Sequence, residues 1–171
     1  ESGTMIKEVN VVEREISVTG VASDENCAKI TLVGIPTDVS VLHNVFSSLA
    51  AESVNVDMIV QAGTATPTAD LTFTVTREEL NTALDILARI QGDQDWSVFC
   101  DENVAKVSIV GAGMMTNPGV AAKMFAALNE ESIPVFVVST SEIKVSCLVP
   151  RHRYQDAVRV CHRKFELGIV N

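Results

Sequence analysis

The sequence predicts an α+β protein of two tandem βαββαβ units, each an antiparallel sheet with two helices on one face. Three observations predict it: an internal repeat, alternating strands joined by short turns, and apolar stripes at helical spacing in matching places of each copy. Ala28-Lys29-Ile30-Thr31-Leu32-Val33-Gly34 recurs as Ala105-Lys106-Val107-Ser108-Ile109-Val110-Gly111, 77 residues on. Phe46 to Val54 recurs as Phe125 to Ile133, 79 residues on, so the second copy is two residues longer between its glycine and its helix.

In the first unit, Ile30 and Leu32 mark a strand, and Val41, Leu42, Val45, Phe46 and Leu49 recur at helical spacing. Val54 to Val60 is a second, β-branched strand. After the turn-rich Gly63 to Pro67, Leu71, Phe73 and Val75 alternate with Thr72, Thr74 and Thr76, and the short loop makes the pair antiparallel. Leu80, Ala83, Leu84, Leu87 and Ile90 form the second helix and Trp96 to Phe99 the last strand. The second unit repeats the order with a strand at Val107 to Val110, a helix carrying Val120, Ala121, Met124, Phe125 and Leu128, and strands at Val135 to Val138 and Ile143 to Val149. A helix carrying Tyr154, Ala157, Val158, Cys161 and Phe165 and a short strand at Leu167 to Val170 complete it. Ile16 to Val21 reads as an extra strand, within 14–22, free to pair with either sheet. The expected division is 1–23 for the lead-in, 24–101 for the first unit and 102–171 for the second. Each unit is a ferredoxin-like sandwich.

Lys plus Arg number 13 and Asp plus Glu 22, a net charge of −9, the wrong sign for gripping phosphate backbones. No apolar run reaches the roughly 18 residues of a membrane span, and the first residues lack the basic and apolar regions of a signal peptide. The expectation is a cytoplasmic protein with no nucleic-acid or membrane partner. Cys27, Cys100, Cys147 and Cys161 are scattered and form no ligand spacing with His43, His152 and His162, so free thiols, no metal and no cofactor are expected.

Gly111-Ala112-Gly113 lies between a strand and a helix, yet lacks the third glycine of a dinucleotide loop and leads into a hairpin rather than a parallel crossover. No phosphate loop and no nucleophile–histidine–acid set can be assembled, so no catalytic residue is assigned and the chain is not expected to be an enzyme by itself. The basic run from Arg151 to Lys164 reads as a solvated face, with docking against an acidic domain as the alternative. Asn117-Pro118-Gly119 opens a helix with a capping side chain, a first-turn proline and a residue without a side chain, a seat for a carboxylate. Its counterpart Thr37-Asp38-Val39-Ser40 also caps a helix but has no glycine.

Ile30 to Gly34, Asn55 to Gln61, Lys106 to Met114, Asn117-Pro118-Gly119 and above all Val138-Ser-Thr-Ser-Glu-Ile-Lys-Val145 together resemble the paired ACT domains of aspartokinase, over nearly the whole chain. Ser2 to Ile6 resembles the segment that ends the catalytic domain of that family. The resemblance implies the regulatory part of an enzyme that phosphorylates aspartate with ATP at the entry to lysine, threonine and methionine synthesis. It implies the catalytic domain or subunit as partner, feedback inhibition by lysine or threonine, and a homodimer through the ACT domains with effectors at the interface. The alternative is a structural dimerisation module that has lost its effectors. Carried over by position, a lysine-type pocket uses Asn117, Gly119, Val120 and Ala121 for the carboxylate, with Ser141 and Glu142 near it and Asp57 for an ammonium group. A threonine-type pocket draws on Thr37, Asp38, Ser40, Val41, Leu42 and Gln61 with the backbone around Pro134 and Val135. There the family's acid at Thr37, its Pro-Gly at Val39-Ser40 and its Asn at Pro134 are absent, and Pro134 has no N–H to donate. Lysine is therefore expected to bind more tightly than threonine.

Overall fold

Alternation along β2 (Ala28–Pro36) buries Ala28, Ile30 and Leu32 on one face and leaves Lys29 and Thr31 on the other. In the computed structural model, which describes residues 18–63, 67–112 and 119–168, that pattern organises the first unit. β2 pairs antiparallel with β4 (Thr68–Val75) on one side and β5 (Ser97–Asp101) on the other, and β3 (Ile59–Gly63) adds outside β4. Helices α1 (Val39–Ala51) and α2 (Leu80–Gln91) cover the apolar face, where Ile30, Leu32, Leu49, Phe73 and Leu87 are sealed and Phe46 meets Phe73 edge to face at 5.7 Å. Gly34, at φ +76, sits in a bulge of β2 and donates its amide to Asp70 Oδ1 at 3.0 Å.

The second unit repeats the design. β6 (Val104–Val110) pairs with β8 (Lys144–Pro150), β8 with β7 (Val137–Thr140), and α3 (Val120–Glu130) and α4 (Tyr154–Lys164) cover Val107, Ile109, Met124, Leu128, Cys147 and Val149. α1 and α3 end alike: Ser53 and Ser132 adopt positive φ, and the amides of Val54 and Ile133 return to Leu49 O and Leu128 O.

The edge strands depart from expectation. The N-terminal strand is β1 (Gly20–Asp24), and it pairs antiparallel with β6, from Gly20 opposite Val110 to Asp24 opposite Lys106. It holds in the second sheet the place that β5 holds in the first, giving the orders β1-β6-β8-β7 and β3-β4-β2-β5. Ile16, where the extra strand was expected to begin, lies outside the described residues. The closing strand expected at Leu167 to Val170 is not present at Leu167 and Gly168, and the rest of that span lies outside the described residues. The reason is that β1 already occupies the free edge of β6, while Leu167 turns back onto the core with its amide on His162 O at 3.2 Å. The strand expected at Val54 to Val60 starts later, at Ile59, because Val54 belongs to the end of α1.

The chain thus changes sheets twice, at Glu25-Asn26-Cys27 and at Glu102-Asn103. Both turns are built alike: the Asn26 amide donates to Asp24 Oδ1 at 2.9 Å, and the Asn103 amide to Asp101 Oδ1 at 2.8 Å. Arg151 pairs with Glu25 at 3.6 Å and Arg77 with Glu102 at 3.5 Å. Between the sheets, Cys27 and Met58 of the first unit pack with Val104, Val137 and Leu148 of the second. Cys27 and Val104, and Met58 and Val137, are equivalent positions of the repeat, so the units meet about a pseudo-twofold axis.

Candidate functional site at the unit interface and the helix N-termini

α3 begins at Gly119, whose φ of +96 suits glycine, and no side chain of that cap residue bonds the first-turn amides. Val120 is buried and Ala121 half-buried behind it. Asn117 lies outside the described residues. The β7–β8 turn carrying Ser141 and Glu142, both exposed, returns to the same end of the unit, because the Gly111 amide donates to Ile143 O at 2.9 Å. The structure therefore places Ser141 and Glu142 at the end of the sheet where β6 exits, the end from which the chain goes on to α3 and its first residues Gly119, Val120 and Ala121.

Asp57 is not with them. It precedes β3, donates its amide to Thr74 O at 3.0 Å, and turns its carboxylate to the Lys106 ammonium of the second unit, with which it is hydrogen-bonded and ion-paired. Lys106 lies four residues before the end of β6, about 13 Å back along the strand at roughly 3.3 Å per residue. Within one chain Asp57 therefore meets the second sheet at Lys106, well short of the exit of β6.

Asp38 caps α1 through its own side chain, accepting the Ser40 amide at 2.8 Å, and that backbone donor holds its carboxyl below the ordinary range. Thr37 donates its amide to Pro67 O at 3.0 Å and its hydroxyl at 3.2 Å; Val41 and Leu42 are half-buried in the first turns of α1. Gln61 is exposed on β3. Pro134 and Val135 line a groove of about 400 Å³ with Phe125, Leu128 and Ile133, beside the C-terminal half of α3. The threonine-type residues are divided between the units in the same way as the lysine-type ones.

The ACT domain model matches residues 107–165. The chain is 39% identical over 169 residues to an aspartokinase from Bacillus sp. strain MGA3, covering 98% of this chain and 41% of that one. It is similar to the regulatory subunit of aspartate kinase from Thermus thermophilus solved in ligand-free form: 34% identity, TM-score 0.82, 87% of this chain and 99% of that one. The chain belongs to the aspartokinase regulatory family. A solved structure of aspartokinase alpha and beta subunits also contains a chain matched at 42% identity and TM-score 0.80, covering 88% of this chain and 99% of that one. The chain spans about two fifths of the length of the curated aspartokinases it matches.

In this aspartokinase regulatory chain, Lys106 is the residue the sequence reading missed. It lines a cleft of about 290 Å³ between the units with Asp24, Asn26, Cys27, Asn55, Asp57 and Thr76. Burial works against the charge of Lys106, but the carboxylates of Asp57 and then Asp24 outweigh it and raise its pKa. Burial, with Asp24 second, pushes the Cys27 thiol up, and its Sγ donates to the Asp24 and Val104 carbonyls. The signal was available: Lys29 and Lys106 are the same position of the repeat, each preceded by Asp-Glu-Asn, at 24–26 and 101–103. The basic C-terminal run is largely paired within the chain: Arg153 and Arg159 bond Asp156, Lys164 bonds Glu130, and Arg163 lies 3.6 Å from Glu131.

Proposed function

We propose that this chain is the amino-acid-sensing part of an aspartate kinase and that lysine, bound at the α3 end of the second unit, is its preferred effector. The observation that carries the choice is the difference between two equivalent helix starts. Asp38 places its carboxylate on the Ser40 amide in the first turn of α1, whereas the cap of α3 is a glycine, which brings no side chain of its own to the first-turn amides where a ligand carboxylate would sit.

The effector's side-chain ammonium then needs an acid, and Asp57 supplies it from a second copy of the chain. Edge strands β3 and β7 carry exposed Ile59 and Val138. If β3 of one copy runs antiparallel to β7 of another, the start of β3 with Asp57 comes beside the end of β7, which leads into Ser141 and Glu142. The homodimer and the effector site are thus one proposal, with a catalytic domain or subunit as the further partner and aspartate phosphorylation as the regulated reaction.

Titration calorimetry with lysine and threonine, alongside light scattering at micromolar protein, tests it. Lysine is expected to bind more tightly, to a dimer; Asp57→Ala is expected to weaken it strongly and Gln61→Ala to change it little. Threonine binding in place of lysine, or a monomer under all conditions, overturns it. A second reading, a dimerisation module without effector, is favoured by one observation: the Asp57 carboxylate already holds Lys106.

A further inference from the structure

Lys106 has two acids within ion-pair distance, whereas its repeat equivalent Lys29 has no ion pair among the described residues. Its ammonium bonds Asp57 and lies 3.7 Å from Asp24 Oδ2. Its side chain is only 18% exposed, against 45% for Asp24 and 46% for Asp57, so the ammonium is the member of the trio that most needs a counter-charge. Lys29 faces Asp101 across the β2–β5 ladder, but its second neighbour is the ring of Phe136, 5.3 Å away, at the position equivalent to Asp57. Among the described residues Lys29 thus has no pair of carboxylates to move between.

We infer that Lys106 is a two-position relay: an effector ammonium arriving at Asp57 displaces Lys106 onto Asp24, and so transmits occupancy of the amino-acid site to β1. This rests on the proposed role of Asp57 as the ammonium acceptor. The displacement is short, since Asp24 is already at the edge of ion-pair distance, and the cleft of about 290 Å³ gives the side chain room. Asp24 is the last residue of β1, and the next residues carry the chain into the first sheet, so a stronger hold on Asp24 acts on the crossover that joins the two units. The same geometry accounts for the pairing of Asp57 within the chain: the Lys106 ammonium holds the carboxylate in place, at a cost in effector affinity that Asp24 partly offsets.

The test is calorimetric titration of free lysine into the unaltered chain, Asp57→Asn, Asp24→Asn, Lys106→Met and the combined Asp24→Asn/Lys106→Met variant, each first checked by thermal melting. Asn at position 24 retains the oxygen that accepts the Asn26 amide, so the turn is preserved. Asp24→Asn is expected to weaken lysine binding about 5-fold or more, Lys106→Met to tighten it by a similar factor, and the effect of Asp24→Asn to vanish when Lys106 is absent. If Lys106→Met does not fold, Lys106→Gln takes its place. Binding lost in Asp57→Asn but unchanged in Asp24→Asn and Lys106→Met overturns the relay and leaves the lysine site standing. An undiminished effect of Asp24→Asn in the combined variant also overturns it, because Asp24 then acts without Lys106. Absence of lysine binding to the unaltered chain overturns the site and the relay together.

Discussion

Asp57 and Phe136 occupy the same position in the two units, and each reaches across the interface to the lysine of the other: Asp57 to Lys106, Phe136 over Lys29 at 5.3 Å. One end of the pseudo-twofold interface is thus clasped by an ion pair and the other by a cation over a ring. Both contacts are partly exposed, which keeps each small. Asp57→Ala and Phe136→Ala are each expected to lower stability by about 1 kcal/mol or less, with the Asp57 effect alone shrinking in high salt. Urea unfolding at low and high ionic strength checks it; an Asp57 effect independent of salt contradicts the assignment.

The two cores are independent enough to be probed singly. Phe73 is fully buried and edge-on to Phe46, so Phe73→Ala is expected to cost about 3–5 kcal/mol. Hydrogen exchange should then show lost protection first in β2, β4, α1 and α2. Uniform loss over both sheets would mean that the interface makes the two units one cooperative body.

Burial raises the thiol of Cys147 to about 12 and that of Cys161 to about 11, while Cys100 is the exposed cysteine. At neutral pH an alkylating reagent is expected to label Cys100 and spare Cys27, Cys147 and Cys161, as read by peptide mass spectrometry. The raised values also carry a sign. The unfolded chain releases these protons near 9 and the folded chain does not, so stability is full below that pH and declines as pH rises toward 11 to 12. Cys147→Ala should flatten that alkaline decline.

At the acid end the carboxyls of Asp38, Asp156 and Glu130 are held below their ordinary values, by the Ser40 amide, by Arg153 and by Lys164. Their contribution is present above the unfolded carboxylate pKa and lost as pH falls through the lower folded values. Melting temperature is therefore expected to drop on acidification below about pH 4. Asp156→Asn, which cannot titrate, should lessen the slope; an unchanged slope would mean that Arg153 and Arg159 contribute nothing to it.

Period-2 and period-3.6 patterns, together with the repeat, were enough to predict both sheets and all four helices, because each pattern reports which face of an element meets its own core. The start of α3 was legible only in part: Asn117 was expected to cap the helix, but the cap is Gly119, two residues on, and the helix runs from Val120. The partner of β1 stayed open between the two sheets, although Asp24-Glu25-Asn26 and Asp101-Glu102-Asn103 already marked β1 and β5 as equivalent. A three-residue turn serves a hairpin and a crossover between sheets equally well; which one forms depends on whether the neighbouring edge is taken. β5 fills the free edge of β2, leaving β1 for β6. The same long-range choice turns Asp57 toward Lys106, 49 positions away, rather than toward Gly119. The sequence by itself determined the elements and their inward faces, through local chemistry. Only the tertiary structure decided which sheet owns each edge strand and which charge meets Asp57, because those depend on competition between distant segments for one ladder and one half-buried ammonium.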